Sequence, residues 1–308
     1  MTTTEMPLRY TKEEYIQPPH GFCPGCSIPS ALRWFLKVVG DKVILLMPPG
    51  CASPSVLFPK RSLIYQGRYI KVVATPFGSA AIFAGGLKSA LIARGDTETQ
   101  VVAWAGDGAT FDIGLAGVSG AAERNDDIIY VCYDNEAYQN TGNQRSSATP
   151  WGGTTTTNPL PNPKMEHKKD IMSIIAAHRI PYAATLSTAY PDDFMRKVQK
   201  AKGISGFRFL HILTPCPAGW RFPLELGVKV ARLAVETKVF PLFEVEYGDT
   251  ITIAKEPKGL PIEEYLRVQG RYRHLAQEQI NVLQSEVNKR WDRLQYLAKY
   301  SLGKGCFV

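Results

Sequence analysis

Residues 106–143 read GDGATFDIGLAGVSGAAERNDDIIYVCYDNEAYQNTGN, a glycine-flanked aspartate and a second polar cluster joined by a helix-like segment and an apolar run. Gly106-Asp107-Gly108 directly follows the apolar run Val101-Val102-Ala103-Trp104-Ala105. Asp134-Asn135-Glu136-Ala137 directly follows a second apolar run, 128–133. Two glycines let backbone approach a bulky anion, and the aspartate between them offers a hard oxygen ligand. Asn135, 27 residues beyond Gly108, offers another. One or two side-chain oxygens, completed by phosphate oxygens and water, are how proteins hold Mg²⁺ against a diphosphate. Gly-Asp-Gly alone is also ordinary turn chemistry. An oxygen ligand returning at the end of the next strand favours a paired site.

Outward from this stretch, apolar strands alternate with helices. Strands are expected at 42–47, 69–74, 101–105, 128–133, 182–186 and 207–213. Helices are expected after Ser27, which can cap the first of them, and at 79–93, 112–123, 171–178 and 192–200. This order predicts an α/β fold with a doubly wound, mainly parallel sheet, in which ligands sit at the carboxyl ends of strands. Residues 1–20 read as an N-terminal arm, 21–214 as the α/β domain, and 215–308 as a helical extension packed on it. That extension is expected to hold a helix around Leu226–Ala234, a strand at 239–247 and a long helix at 274–300. The long helix carries Leu275, Ile280, Leu283, Val287, Trp291, Leu294 and Leu297 on one face. The polar loop at 143–163 is too long for a routine connection and reads as a functional loop or a subunit contact.

Of the 308 residues 44% are hydrophobic and 21% charged, an ordinary globular balance. There is no apolar run long enough for a membrane helix and no apolar leader at the start, so a cytoplasmic protein is expected. The net charge of +8 is spread along the chain without a nucleic-acid module. Such a basic surface suits an acidic redox partner.

Six cysteines are too few for a disulfide scaffold in a chain of this size. Cys23-Pro24-Gly25-Cys26 alone leaves open a redox pair, half of a zinc site or part of an iron–sulfur cluster. Cys51, after one expected strand, and Cys216, after another, bring the loop cysteines to four. Four could ligate either zinc or a [4Fe–4S] cluster. Cys132 lies inside a strand and reads as a structural thiol; Cys306 reads as a free thiol near the end.

The GDG…DN pair resembles the thiamine diphosphate motif. Beside such a cofactor, whose chemistry yields electrons to an adjacent acceptor, an iron–sulfur cluster is the better reading of the cysteines. CPGC at 23–26, GC at 50–51, YDNEAYQNTGNQRSSATP at 133–150, TPCPAGWR at 214–221 and the segment 223–249 together resemble the β subunit of the 2-oxoacid:ferredoxin oxidoreductases. The resemblance covers essentially the whole chain. It implies that Cys23, Cys26, Cys51 and Cys216 hold a [4Fe–4S] cluster. It further implies that Asp107, Asn135 and the Ala137 carbonyl hold Mg²⁺. Gly106, Gly108, Ala109, Thr141 and Ala52 would lie against thiamine diphosphate, with Asn140 and Asn143 at the reacting centre. The implied reaction is oxidative decarboxylation of a 2-oxo acid, with electrons leaving singly through the cluster to ferredoxin. An α subunit would supply the pyrimidine half of the site and the activating glutamate, and γ/δ-type subunits further clusters, so the chain alone is expected to be inactive. Relatives acting on pyruvate often carry Gly or an apolar residue where Asn143 stands. An amide there could bond a second carboxylate, which makes oxalate the expected substrate, without coenzyme A, and pyruvate or another 2-oxo acid with coenzyme A the alternative. A non-redox thiamine decarboxylase or synthase with structural zinc is the reading from a different class, and a purely structural subunit a third.

Overall fold

The computed structural model describes residues 7–57 and 62–301; Cys306 lies outside them. The strands are β1 (Val43–Met47), β2 (Ile64–Tyr65), β3 (Arg68–Tyr69), β4 (Lys71–Ala74), β5 (Gln100–Gly106), β6 (Ile129–Asp134), β7 (Tyr182–Ser187), β8 (Arg208–Leu213), β9 (Phe243–Glu246) and β10 (Thr250–Ile253). Eight of them form one sheet in the order β10-β9-β7-β8-β6-β5-β1-β4, and β2 and β3 pair separately. From β7 to β4 every pairing is parallel; β9 and β10 are added antiparallel at the β7 edge.

The helices are α1 (Ile28–Val39), α2 (Ala52–Leu57), α3 (Ala80–Ala93), α4 (Leu115–Glu123), α5 (Ile171–Ala176), α6 (Pro191–Gly203), α7 (Pro217–Trp220), α8 (Gly227–Glu236), α9 (Ile262–Arg267) and α10 (Gln277–Ser301). Alternation along the central strands divides the core. Val102 and Trp104 of β5 join Leu32, Phe35 and Leu36 of α1 and Phe194 and Val198 of α6. Val101, Ala103 and Ala105 face the other way, with Ala80, Ala84, Val118 and Ile175 of α3, α4 and α5. Central strands covered on both faces explain why these runs are apolar without polar alternation.

From β1 the chain runs outward to β4, then returns to lay β5 on the other side of β1. The strand order therefore reverses between β1 and β5, and a crevice opens at their carboxyl ends, where open α/β sheets bind ligands. Two expectations change in detail. Ser27 does not cap α1; its hydroxyl donates to the Pro215 carbonyl at 3.2 Å and ties the first cysteine loop to the last. Within 215–308, β9 and β10 extend the main sheet, while Leu213, Trp220, Val230, Tyr265 and Val287 gather in a third apolar cluster. On α10, Ile280, Val287, Trp291 and Ala298 are buried, whereas Leu297 is exposed. No helix among the described residues is long and apolar enough to cross a membrane.

Candidate cofactor and cysteine site

The crevice is walled by three loops. Pro49, Gly50 and Cys51 follow β1, Gly106 to Ala109 end β5 and begin the next turn, and Asn135 with Ala137 to Thr141 follow β6; Phe77 and Tyr133 complete the wall. Gly106, Asp107, Gly108, Ala109, Asn135, Ala137, Asn140 and Thr141 are thus brought together as the motif reading expects. A five-residue π-turn, Gly108–Asp112, follows Asp107, the kind of local distortion common at functional sites. Gly108 is required here: a Cβ would stand 2.2 Å from the Tyr138 ring.

Three oxygens converge at the crevice floor. The Asn135 side-chain oxygen stands 2.9 Å from the Ala137 carbonyl oxygen and 3.0 Å from Asp107 Oδ1, so that oxygens face one another across the floor. Two arrangements remove the conflict: the amide turns over and donates twice, or a cation sits among the oxygens. Two oxygens at right angles on one Mg²⁺, each about 2.0–2.1 Å from it, stand ~2.9 Å apart. The spacing is that of an octahedral edge. The amide nitrogen lies 3.7 Å from Cys51 Sγ, a contact that either orientation keeps, since a thiol both donates and accepts. Asp107 Oδ2 is occupied by the Ser146 hydroxyl at 2.5 Å, which leaves Oδ1 for the convergence. Burial, and next the Asp134 carboxylate, push the Asp107 pKa well above the usual range; a cation would reverse that shift. The donor set fits Mg²⁺.

The cysteine loops meet beside this floor. Cys26, Cys51 and Cys216 are half-buried and Cys23 exposed. Burial pushes the Cys26 and Cys51 thiols up to about 12, and the nearby sulfurs, Cys216 foremost, push them in the same direction. Cys216 Sγ accepts the Gly219 N–H at 3.3 Å at the start of α7. Gly25 has φ +72, and a Cβ there would lie 2.6 Å from the Leu224 carbonyl, so only glycine brings the CPGC loop against the chain after α7. Among the described residues no three His, Cys, Asp or Glu side chains close on a point that could hold one ion. Zn²⁺ with thiolates at about 2.3 Å needs sulfurs ~3.8 Å apart; a cubane spreads its cysteines over four irons.

Two expected residues are not on the crevice wall. Ala52 is buried, and its N–H donates to the Tyr133 hydroxyl at 3.4 Å. Asn143 has φ +66, and its carbonyl accepts from the Thr156 N–H and hydroxyl, both at 3.0 Å. Loop spacing alone does not reveal this, since a left-handed residue reverses the local chain direction. Phe77, Tyr133, Tyr138 and Ser146 were not singled out in the sequence; nothing in their local context separates them from core or turn residues.

Residues 57–212 match the family described as thiamine pyrophosphate enzyme, C-terminal TPP binding domain. The chain is 44% identical over 299 residues to the ketoisovalerate oxidoreductase subunit VorB of Pyrococcus furiosus, covering 93% of this chain and 94% of that one. It is 42% identical to the pyruvate synthase subunit PorB of Methanocaldococcus jannaschii, covering 92% and 97%. Among solved structures, the 2-oxoglutarate:ferredoxin oxidoreductase from Magnetococcus marinus matches with a TM-score of 0.56 at 23% identity, over 73% of this chain and 83% of that chain. The last match supports the fold.

Proposed function

The chain belongs to the β subunits of the thiamine diphosphate-dependent 2-oxoacid:ferredoxin oxidoreductases, and from that premise we propose that it carries both the Mg²⁺-diphosphate cradle and a [4Fe–4S] cluster. The observation that supports the reading is the convergence of the Asp107, Asn135 and Ala137 oxygens on the crevice floor, with Cys51 on the wall beside Asn135 and Cys23, Cys26 and Cys216 close to Cys51 and one another. Asp107, Asn135 and the Ala137 carbonyl would hold the metal, and the backbone of Gly106, Gly108 and Ala109 the diphosphate. Cys23, Cys26, Cys51 and Cys216 would hold the cluster. Beside a cofactor whose chemistry releases electrons, a cluster is the reading favoured over zinc. Bound thiamine diphosphate supplies a nucleophilic carbon that can decarboxylate a 2-oxo acid and release electrons.

The chain's own residues orient and shield this chemistry. Phe77, Tyr133 and Tyr138 give the crevice aromatic walls, while Asn140 and Thr141 place polar groups at its mouth. Among the described residues no glutamate lines the crevice, and we assign the activating carboxylate to an α subunit. The outer face of α3, which begins just after Phe77, exposes Ile82, Phe83 and Ile92. Such a face suits burial against another chain. The assembled complex would pass electrons on through further iron–sulfur subunits to ferredoxin.

For substrate, the oxalate expectation requires Asn143 at the reacting carbon, and Asn143 is not among the residues of the crevice wall. Aromatic walls and the substrates named for the two relatives favour a 2-oxo acid with an apolar side chain, pyruvate or a branched-chain acid, with coenzyme A accepting the acyl group. Dye reduction by the assembled complex with pyruvate or 2-ketoisovalerate plus coenzyme A, against oxalate alone, tests this. Faster turnover of the 2-oxo acids is expected; faster turnover of oxalate without coenzyme A would restore the oxalate reading.

A further inference from the structure

Glu136 lies between Asn135 and Ala137, two of the three residues whose oxygens converge, and its φ is +63. Side chains other than glycine, asparagine and aspartate rarely adopt that region. Here the left-handed residue reverses the chain so that the side chain before it and the carbonyl after it point at one place. Glu136 does not line the crevice. Its own polar atoms are held from behind. Its N–H donates to Asp134 Oδ1 at 2.9 Å, and its carbonyl accepts from the Thr149 hydroxyl at 2.7 Å. Its carboxylate, 3% exposed as a residue, is bridged by Lys168 Nζ at 2.8 Å and Arg271 Nη2 at 2.6 Å.

Arg271 comes from far along the chain, in the turn Gly270–Tyr272. It is itself buried, and its Nε donates to Gln269 Oε1 at 2.9 Å. The guanidinium stacks 3.9 Å above the Trp220 ring, and Trp220 Nε1 donates to the Asn135 carbonyl at 2.9 Å. One arginine therefore braces Glu136 directly and Asn135 through tryptophan. The planar fork suits both contacts at once, as a lysine ammonium would not.

We propose that Arg271 is a positioning residue for the cation site: acting through Glu136 and Trp220, with Lys168 as the second arm on the carboxylate, it holds the left-handed turn that aims Asn135 and Ala137 at the metal. The proposal rests on the reading of Asp107, Asn135 and Ala137 as the Mg²⁺ ligands. Removing the arginine frees the turn to relax, so the ligand oxygens must be gathered again by the metal, and metal affinity falls while saturating metal restores the site.

The test uses the assembled complex stripped of metal and thiamine diphosphate, titrated with Mg²⁺ at fixed thiamine diphosphate. Binding is followed by calorimetry, turnover is measured in parallel, and iron content serves as the check on assembly. Arg271→Met is expected to raise the apparent Mg²⁺ dissociation constant tenfold or more, with iron content unchanged and most of kcat recovered at saturating Mg²⁺. Arg271→Lys is expected to fall between. An Mg²⁺ constant within twofold of wild type, or a loss of kcat that Mg²⁺ does not restore, would overturn the proposal. If Arg271→Met does not assemble, Arg271→Lys decides by the same criteria; failure of both to assemble would assign the arginine a purely structural role and overturn it. Asp107→Ala separates the two claims. If wild type binds Mg²⁺, Asp107→Ala abolishes binding and the Arg271 variants bind normally, the metal site stands and the brace falls. If Asp107→Ala binds as wild type does, the metal reading itself falls.

Discussion

At the residue scale, glycine identity and oxygen placement control the site. Gly108→Ala puts a methyl group into the Tyr138 ring, whose hydroxyl donates to Asp112 Oδ2 at 2.9 Å. The ring has to swing from the crevice wall, so thiamine diphosphate affinity of the complex is expected to fall at least about tenfold, with the far-UV spectrum unchanged; a titration of the variant checks it. The residues that the motifs single out are the ones that local sequence makes most legible. Asp107, Asn135, Cys51 and Cys216 follow strand ends, and Cys23 and Cys26 precede a helix, where local sequence signals both position and donor type. Asn143 does not stand among the wall residues, and spacing along a loop does not fix the direction in which a left-handed residue turns the chain. Arg271 and Trp220 were out of reach: their partners at Glu136 and Asn135 are distant in sequence, and a guanidinium over an indole leaves no local pattern.

Elements place those residues. β1, β5 and β6 deliver three loops to one crevice because their parallel order puts all carboxyl ends together, and alternating apolar runs made that order readable. The strand expected at 239–247 forms as β9, whereas its antiparallel partner β10 and the short helices α2 and α9 carry no clear sequence signal: each is brief, and tertiary pairing outweighs weak local preference. α1 starts directly after the CPGC loop and buries Leu36 completely against the sheet. Leu36→Ala is expected to lower unfolding free energy by about 2–5 kcal/mol, measured by denaturant titration. On α3, Phe83 is 48% exposed. Phe83→Glu is expected to leave thermal unfolding of the isolated chain nearly unchanged and to weaken co-purification of the α subunit several-fold; unchanged capture would place the contact elsewhere.

Over the whole molecule, charge pairs lock distant segments. Asp127 accepts from Arg208 of β8 and lies 3.2 Å from Lys88 of α3. Burial pulls its pKa up, but Arg208 and then Lys88 outweigh burial and hold it below the ordinary carboxylate value. A depressed folded-state pKa contributes stability that is present above the unfolded value of ~3.9 and lost as pH falls through the lower folded value. Asp127→Asn should therefore flatten the acid limb of the stability–pH curve; an unchanged limb would show that the pair contributes nothing.

The central claim is that one chain holds both a cofactor cradle and the first electron acceptor. The direct measurement is iron, sulfide and zinc analysis of the anaerobically purified chain, with electron paramagnetic resonance after reduction. About four irons and four sulfides per chain, with a spectrum that disappears on substituting Cys51 or Cys216, are expected of a [4Fe–4S] site. A colourless chain carrying one zinc and no paramagnetic signal would contradict the account.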